Sequence, residues 1–141
     1  MRTNMLIILL AVISQANCSL RAQQSDFQVI SWNVESDGSR ISTIARQIRD
    51  DFEGIELWGL SEVANDEVAA QLESAAEEGE DIDYGRVTGT TGSRDRLVVL
   101  FDTGRFELLE SQELDDINVS GTVRAPLVVR LRDRQNQQSF L

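Results

Sequence analysis

Two apolar runs of strand period, each carrying a polar residue near its end that can hold a hard cation, constrain this chain more than any other feature. The first is Phe27-Gln28-Val29-Ile30-Ser31-Trp32-Asn33-Val34 and the second is Glu56-Leu57-Trp58-Gly59-Leu60-Ser61-Glu62-Val63. Both alternate large apolar residues with small or polar ones, as strands do. Between them Ile41, Ile44, Ala45, Ile48 and Phe52 recur at the spacing of one helix face, leaving Arg40, Arg46 and Arg49 outside it. A strand–helix–strand unit makes its two strands parallel and brings both carboxyl ends to one edge of the sheet. Asn33 and Glu62 are therefore expected side by side. An amide oxygen and a carboxylate suit Mg²⁺, or Mn²⁺ or Ca²⁺ in its place.

The remaining elements follow from local pattern. Asp37 and Ser39 are candidate caps for the first helix, and Gly54 is placed to end it. Asn65 is a cap for a second helix, with Asp66 and Glu67 in its first turn and Val68, Leu72, Ala75 and Ala76 as its apolar stripe up to Gly79. Residues 77–83 read as an acidic, exposed connection and residues 84–87 as a short strand. Gly89-Thr90-Thr91-Gly92-Ser93 reads as a loop that nothing in the local pattern holds rigid. Residues 96–101 are a buried strand by composition, and Asp102-Thr103-Gly104 is a tight turn returning residues 105–110 antiparallel to it. Polar residues 111–121 follow, anchored by Leu114, Ile117 and Val119. Residues 123–131 alternate as a strand with Pro126 near its start, and Ser139-Phe140-Leu141 opens another.

Length and composition set outer bounds. A chain of 141 residues is at most one domain, and 41% hydrophobic residues with a single Pro argue against disorder. Arg2, an apolar run over residues 5–13 and the small and polar residues behind it predict a signal peptide over residues 1–22, cut after Ala16 or Ala22. That run is too short to span a bilayer, so the mature chain is expected to be exported, to the periplasm or beyond the cell, without a transmembrane segment. Cys18 is the only cysteine, which excludes an internal disulfide. A lipid anchor on Cys18 is the alternative, although Gln15 stands three residues before it where such anchors carry Leu. All 13 basic residues are Arg, against 24 Asp and Glu, and residues 50–83 hold acids but no basic residue. Such a block repels a phosphate backbone unless a metal intervenes. The chain contains no His.

In sequence order, four pieces carry a resemblance. They are Ser31-Trp32-Asn33-Val34, Trp58-Gly59-Leu60-Ser61-Glu62-Val63, the strand over residues 96–102 running into Arg105-Phe106-Glu107-Leu108-Leu109, and Arg124-Ala125-Pro126-Leu127-Val128-Val129. Together they resemble the N-terminal half of the endonuclease/exonuclease/phosphatase superfamily, metal-dependent phosphoesterases, over residues 27–141. The resemblance implies an α/β (α+β) fold, half of a four-layered α/β sandwich whose mixed β-sheet carries two helices on one face. It implies an exported hydrolase dependent on a divalent metal and acting on a phosphate ester, nucleic acid among the candidates. Glu62 would be the principal metal ligand, with Asn33 beside it on metal, water or phosphate. Arg124 aligns with an arginine that steadies the phosphate in the nuclease branch, and Tyr84 falls near a phosphate-contacting tyrosine of some members.

Each position also has a local reading. Asn33 would stabilise the turn after its strand, Arg124 would be an exposed strand residue, Tyr84 would pack, and Trp32 and Trp58 would be core. A carboxylate that closes an apolar strand, as Glu62 does, is costly there and needs a reason. The family's second half supplies a His, an Asp-x-Asn pair and a final Asp-His for proton transfer and further metal contact, and none of these is present. A companion or continuing chain is therefore expected, the alternative being an inactive remnant or binding module of the same fold. Without a partner sheet, one face of this sheet would be exposed apolar surface.

Overall fold

In a computed structural model of the chain, residues 26–35, 40–92, 94–117 and 124–141 are described. The signal peptide expected over residues 1–22 with Cys18, the caps expected at Asp37 and Ser39, and the positions of Ser93, Val119 and Val123 lie outside them. Among the described residues no helix is long and apolar enough to cross a membrane.

The first amphipathic stripe forms helix α1, Ile41–Asp51, burying Ile44 and Ile48. It stops at an extended Phe52, and Gly54 then takes φ +73° into the next strand. Helix α2, Asp66–Glu80, begins at Asn65, whose side chain accepts the Val68 amide at 3.0 Å. It buries Ala69 besides Leu72, Ala75 and Ala76. The helix runs on through the first part of the acidic stretch expected to be a connection. There Glu77 accepts the Tyr84 amide at 3.3 Å, while Glu80 accepts those of Gly54 and Ile55 at 3.0 and 3.1 Å. These carboxylates cap neighbouring strands, satisfying backbone donors that the sheet leaves open.

Strands β1 (Gln28–Asn33), β2 (Ile55–Val63), β3 (Tyr84–Thr88) and β4 (Arg96–Asp102) form one sheet in the order β1-β2-β4-β3. β1 and β2 are parallel, as the crossover demands, and β4 is antiparallel to both β2 and β3. β3 thus runs parallel to β2 with β4 inserted between them. The two crossovers step in the same direction across the sheet, so a shared hand sets both helices on one face. Their common core holds Ile44, Ile48, Trp58, Leu60, Leu72 and Leu100.

The turn after β4 forms, with Asp102 Oδ1 accepting the Gly104 and Arg105 amides at 2.7 and 3.2 Å, but it makes no hairpin. Both edges of β4 are taken by β2 and β3, so the returning strand has no place beside it. β5 (Phe106–Glu113) pairs instead with β6 (Leu127–Asp133), and with β7 (Ser139–Phe140) they form a second sheet, β5-β6-β7. The expected strand at residues 123–131 begins only at Leu127, leaving Arg124 in the segment before it.

Leu57, Val87 and Phe101 of the first sheet pack with Phe106 and Leu131 of the second, joined by Phe27 and Phe140. The face expected to be bare is thus partly covered by the chain's own later strands. An apolar slot of about 400 Å³ remains, lined by Val29, Leu57, Leu127, Val129, Phe140 and Leu141 among others. Over the described residues the chain is α+β, with two α-helices, a mixed four-stranded sheet and a second, smaller sheet.

This topology gives the molecule two poles. The carboxyl ends of β1, β2, β3 and β5 gather at one, with the starts of β4 and β6. The other collects Ile55, Tyr84, Asp102, Phe106 and Asp133.

Candidate functional site

At the first pole β2 departs from regular pleat. Leu60 and Val63 both lie in the core under the helices although they are three residues apart, an odd offset that alternation forbids. The register shift between them absorbs the extra residue, and Glu62 takes φ +58° to do so. Ser61 and Glu62 are both left off the helix-facing core. A left-handed non-glycine residue costs on the order of 1–3 kcal/mol, and such positions gather at functional sites.

Glu62 meets Arg124, whose Nη2 lies 3.8 Å from Glu62 Oε1. The same guanidinium donates through Nη1 to Asp95 Oδ1. Arg124 belongs to the second sheet's approach, Asp95 to the start of β4 and Glu62 to the end of β2, so one cation ties three segments. All three side chains are about a third exposed, at 28% for Arg124, 33% for Asp95 and 35% for Glu62. The cluster is open to a ligand without being fully in water.

Asn33 stands at the end of β1 opposite Ser61, one residue from Glu62 in the sheet register. Its Oδ1 accepts the Glu35 amide at 3.1 Å. That is the turn-stabilising contact of its local reading, and it leaves a second lone pair on the oxygen. Asn33 is exposed and lines a cleft of about 360 Å³ with Arg40, Thr43 and Gln47.

Tyr84 is not brought to this pole. Its hydroxyl donates to the Ile55 carbonyl at the other end of β2, and burial pushes its pKa up to about 12. Seven residues separate Ile55 from Glu62 along the strand, roughly 20 Å at the usual rise.

The loop after β3, expected to lack any tether, is held from the second sheet. Glu113, the last residue of β5, accepts both the amide and the hydroxyl of Thr90, at 2.9 and 2.6 Å. It accepts the same two groups of Thr91 at 3.0 and 2.6 Å. Burial works to raise the Glu113 pKa, but these four bonds to its ionised form outweigh it and hold the carboxyl down at about 2. Arg96 Nη1 secures the Thr91 and Gly92 carbonyls at 3.1 and 2.7 Å.

Reading by sequence therefore missed Asp95, Thr91 and Glu113. Asp95 sits between Arg94 and Arg96 just before a buried strand, a placement that marked it only as a strand boundary. Glu113 had no local signal, because its partners are more than 20 residues away.

The donors at this pole, Glu62, Asn33 and Asp95, are all oxygens, which fit a hard cation and not a soft one. No group of three or more His, Cys, Asp and Glu arranged to hold a metal occurs among the described residues. What these residues offer is part of a shell, which Mg²⁺ accepts because it keeps several waters and takes one or two carboxylates.

With that geometry in place, the fold can be set beside a solved structure that it resembles. The endonuclease/exonuclease/phosphatase from Bacteroides vulgatus superposes on 81% of this chain with a TM-score of 0.51 and 13% sequence identity. The likeness is one of fold. The chain spans about half of that structure, 48% of its length. No family model matches the chain, and no curated protein matches it.

Proposed function

We propose that this chain carries part of the active site of a divalent-metal-dependent phosphoesterase of the endonuclease/exonuclease/phosphatase kind. The observation that carries the reading is Glu62, placed by a left-handed bulge at the carboxyl end of β2 and joined there to Arg124 across the two sheets. The fold likeness to a hydrolase of that description supports the same assignment.

In this reading Glu62 and Asn33 hold Mg²⁺, or Mn²⁺ or Ca²⁺ in its place. Bound there, the metal supplies Lewis-acid stabilisation of the charge that develops on the phosphoryl oxygens. Arg124 offers the planar fork of N–H donors that matches a phosphate, and Asp95 holds that fork in orientation. The partly exposed setting lets the ester approach between Glu62 and Arg124. Proton transfer at the attacking water falls to a group outside this chain, since the family's His has no counterpart here. We assign the rest of the site to a companion or continuing polypeptide, in keeping with a span of about half the neighbour's length. Export is part of the same proposal, on the strength of the apolar run over residues 5–13. The acidic surface favours small phosphate esters over nucleic acid.

The absent His also favours a second reading, an inactive remnant or binding module of the same fold. Hydrolysis of bis(p-nitrophenyl) phosphate with millimolar Mg²⁺ separates the two. The enzyme reading predicts background rates for the 141-residue chain and metal-stimulated turnover once any polypeptide encoded beyond residue 141 is joined to it, with Glu62→Gln removing most of that turnover. A joined protein with no turnover favours the remnant, and one indifferent to Glu62→Gln overturns the site.

A further inference from the structure

We infer that Glu113 is a positioning residue for Arg124, acting through Thr91 and Gly92. The purpose of this device rests on the phosphoesterase reading, whereas its geometry stands apart from it.

The other acids of β5 make ordinary pairs across the strand. Glu107 meets Arg132 at 3.3 Å and Glu110 meets Arg130 at 3.6 Å. Glu113 has Leu127 opposite it in the register and turns to the loop instead. One carboxylate there collects four donors from two consecutive residues. Because the Thr91 hydroxyl spends its proton on Glu113, its lone pairs are left to accept, and the Ala125 amide donates to it at 2.9 Å. The result is a relay of carboxylate, hydroxyl and amide in which each bond polarises the next. It ends on the residue after Arg124.

The next residue of the loop fixes the arginine's stem. Gly92 has φ +93°, and a Cβ on it would lie 2.7 Å from Arg124 Cγ and 2.9 Å from the Asp95 carbonyl oxygen. Arg124 thus lies directly on a bare backbone that only glycine supplies. Gly89 is close-packed on the same device, since a Cβ there would come within 2.9 Å of Glu113 Oε1. With the loop clamped by Glu113 on one side and Arg96 on the other, both the backbone and the stem of Arg124 are set. Its head is then confined to the space between Asp95 and Glu62.

The experiment is NMR of the full isotope-labelled chain. Hydrogen exchange is read at the Ala125 amide and the side-chain Nε–H resonance is followed at Arg124, with inorganic phosphate added in the presence of Mg²⁺. Glu113→Ala should lower protection of the Ala125 amide about tenfold, the scale of one lost hydrogen bond, and move the Arg124 resonance to that of a free arginine. Glu113→Gln, which keeps one carbonyl acceptor, should restore part of both. Phosphate affinity should fall about tenfold in Glu113→Ala and vanish in Arg124→Ala. If Glu113→Ala fails to fold, Thr91→Val carries the test, because it removes the hydroxyl at nearly constant volume. A folded Glu113→Ala or Thr91→Val with unchanged Arg124 and Ala125 signals overturns the inference. If those signals respond but phosphate never perturbs the wild-type resonance, positioning stands and the phosphoesterase reading fails.

Discussion

Replacing Arg105 should cost more stability than any other single change at the second pole. Its guanidinium is buried where the two sheets meet. Nη1 donates to Glu56 Oε1 of β2 at 3.2 Å, and Nη2 donates to Asp133 Oδ2 of β6 at 3.3 Å and to the Asp26 carbonyl at 3.2 Å. The Phe27 and Phe106 rings lie 5.8 and 5.5 Å from its centre. The Asp133 side chain is 3% exposed, and the Gln135 amide and Asn136 side chain also donate to it, at 2.8 and 3.1 Å. Neither donor carries a charge. Arg105→Met keeps most of the stem but leaves a buried carboxylate without its cation, a loss of about 3–5 kcal/mol. The pair with Glu56, 22% exposed, adds under about 1 kcal/mol because solvent screens it. Against about 5–15 kcal/mol for a whole domain, that removes much of the margin. Urea unfolding followed through Trp32 and Trp58 measures it. Adding Asp133→Asn to Arg105→Met should recover a large part, so the two changes are strongly non-additive. A loss below about 1 kcal/mol for Arg105→Met, or simple additivity with Asp133→Asn, would mean that the buried Asp133 carboxylate does not depend on this guanidinium.

Three further outcomes are expected. With its folded pKa depressed to about 2, Glu113 contributes stability that is complete above its unfolded value of about 4.3 and is lost as pH falls from there through 2. The stability gap between wild type and Glu113→Gln should therefore close over that window, and a pH-independent gap counts against it. Tyr84→Phe should cost about 1 kcal/mol through the lost bond to the Ile55 carbonyl and leave phosphate and metal responses intact; loss of those responses would return Tyr84 to the site. Gly92→Ala combines a positive φ with a clash against Arg124 and should cost upward of about 1 kcal/mol while displacing the Arg124 resonance. An unperturbed, fully stable Gly92→Ala would mean that the arginine does not rest on that backbone.

The parts of this molecule that were legible in sequence are those written in local pattern. The stripe at Ile41, Ile44 and Ile48, the cap at Asn65 and the crossover that makes β1 and β2 parallel each depend on neighbours a few residues away. The hairpin expected after Asp102 failed because occupancy of both β4 edges is a property of the whole sheet, invisible in the turn residues. Residues 77–83 looked like solvated charge because the amides that Glu77 and Glu80 cap arrive from β3 and β2. In the candidate site, Asn33, Glu62 and Arg124 stood in motifs. Asp95, Thr91 and Glu113 did not, since each acquires its role only when the two sheets close on one another.

Manganese relaxation asks directly whether this chain holds one part of a metal site. Substoichiometric Mn²⁺ added to the ¹⁵N-labelled chain broadens resonances near the bound ion. The strongest broadening is expected at the Asn33 side-chain amide and the backbone of Glu62 and Asp95, abolished by Glu62→Gln. Broadening concentrated instead on Glu77, Glu78, Asp81, Asp83 and Asp102, the acidic cluster at the opposite pole, and indifferent to Glu62→Gln, would mean that Glu62 holds no metal.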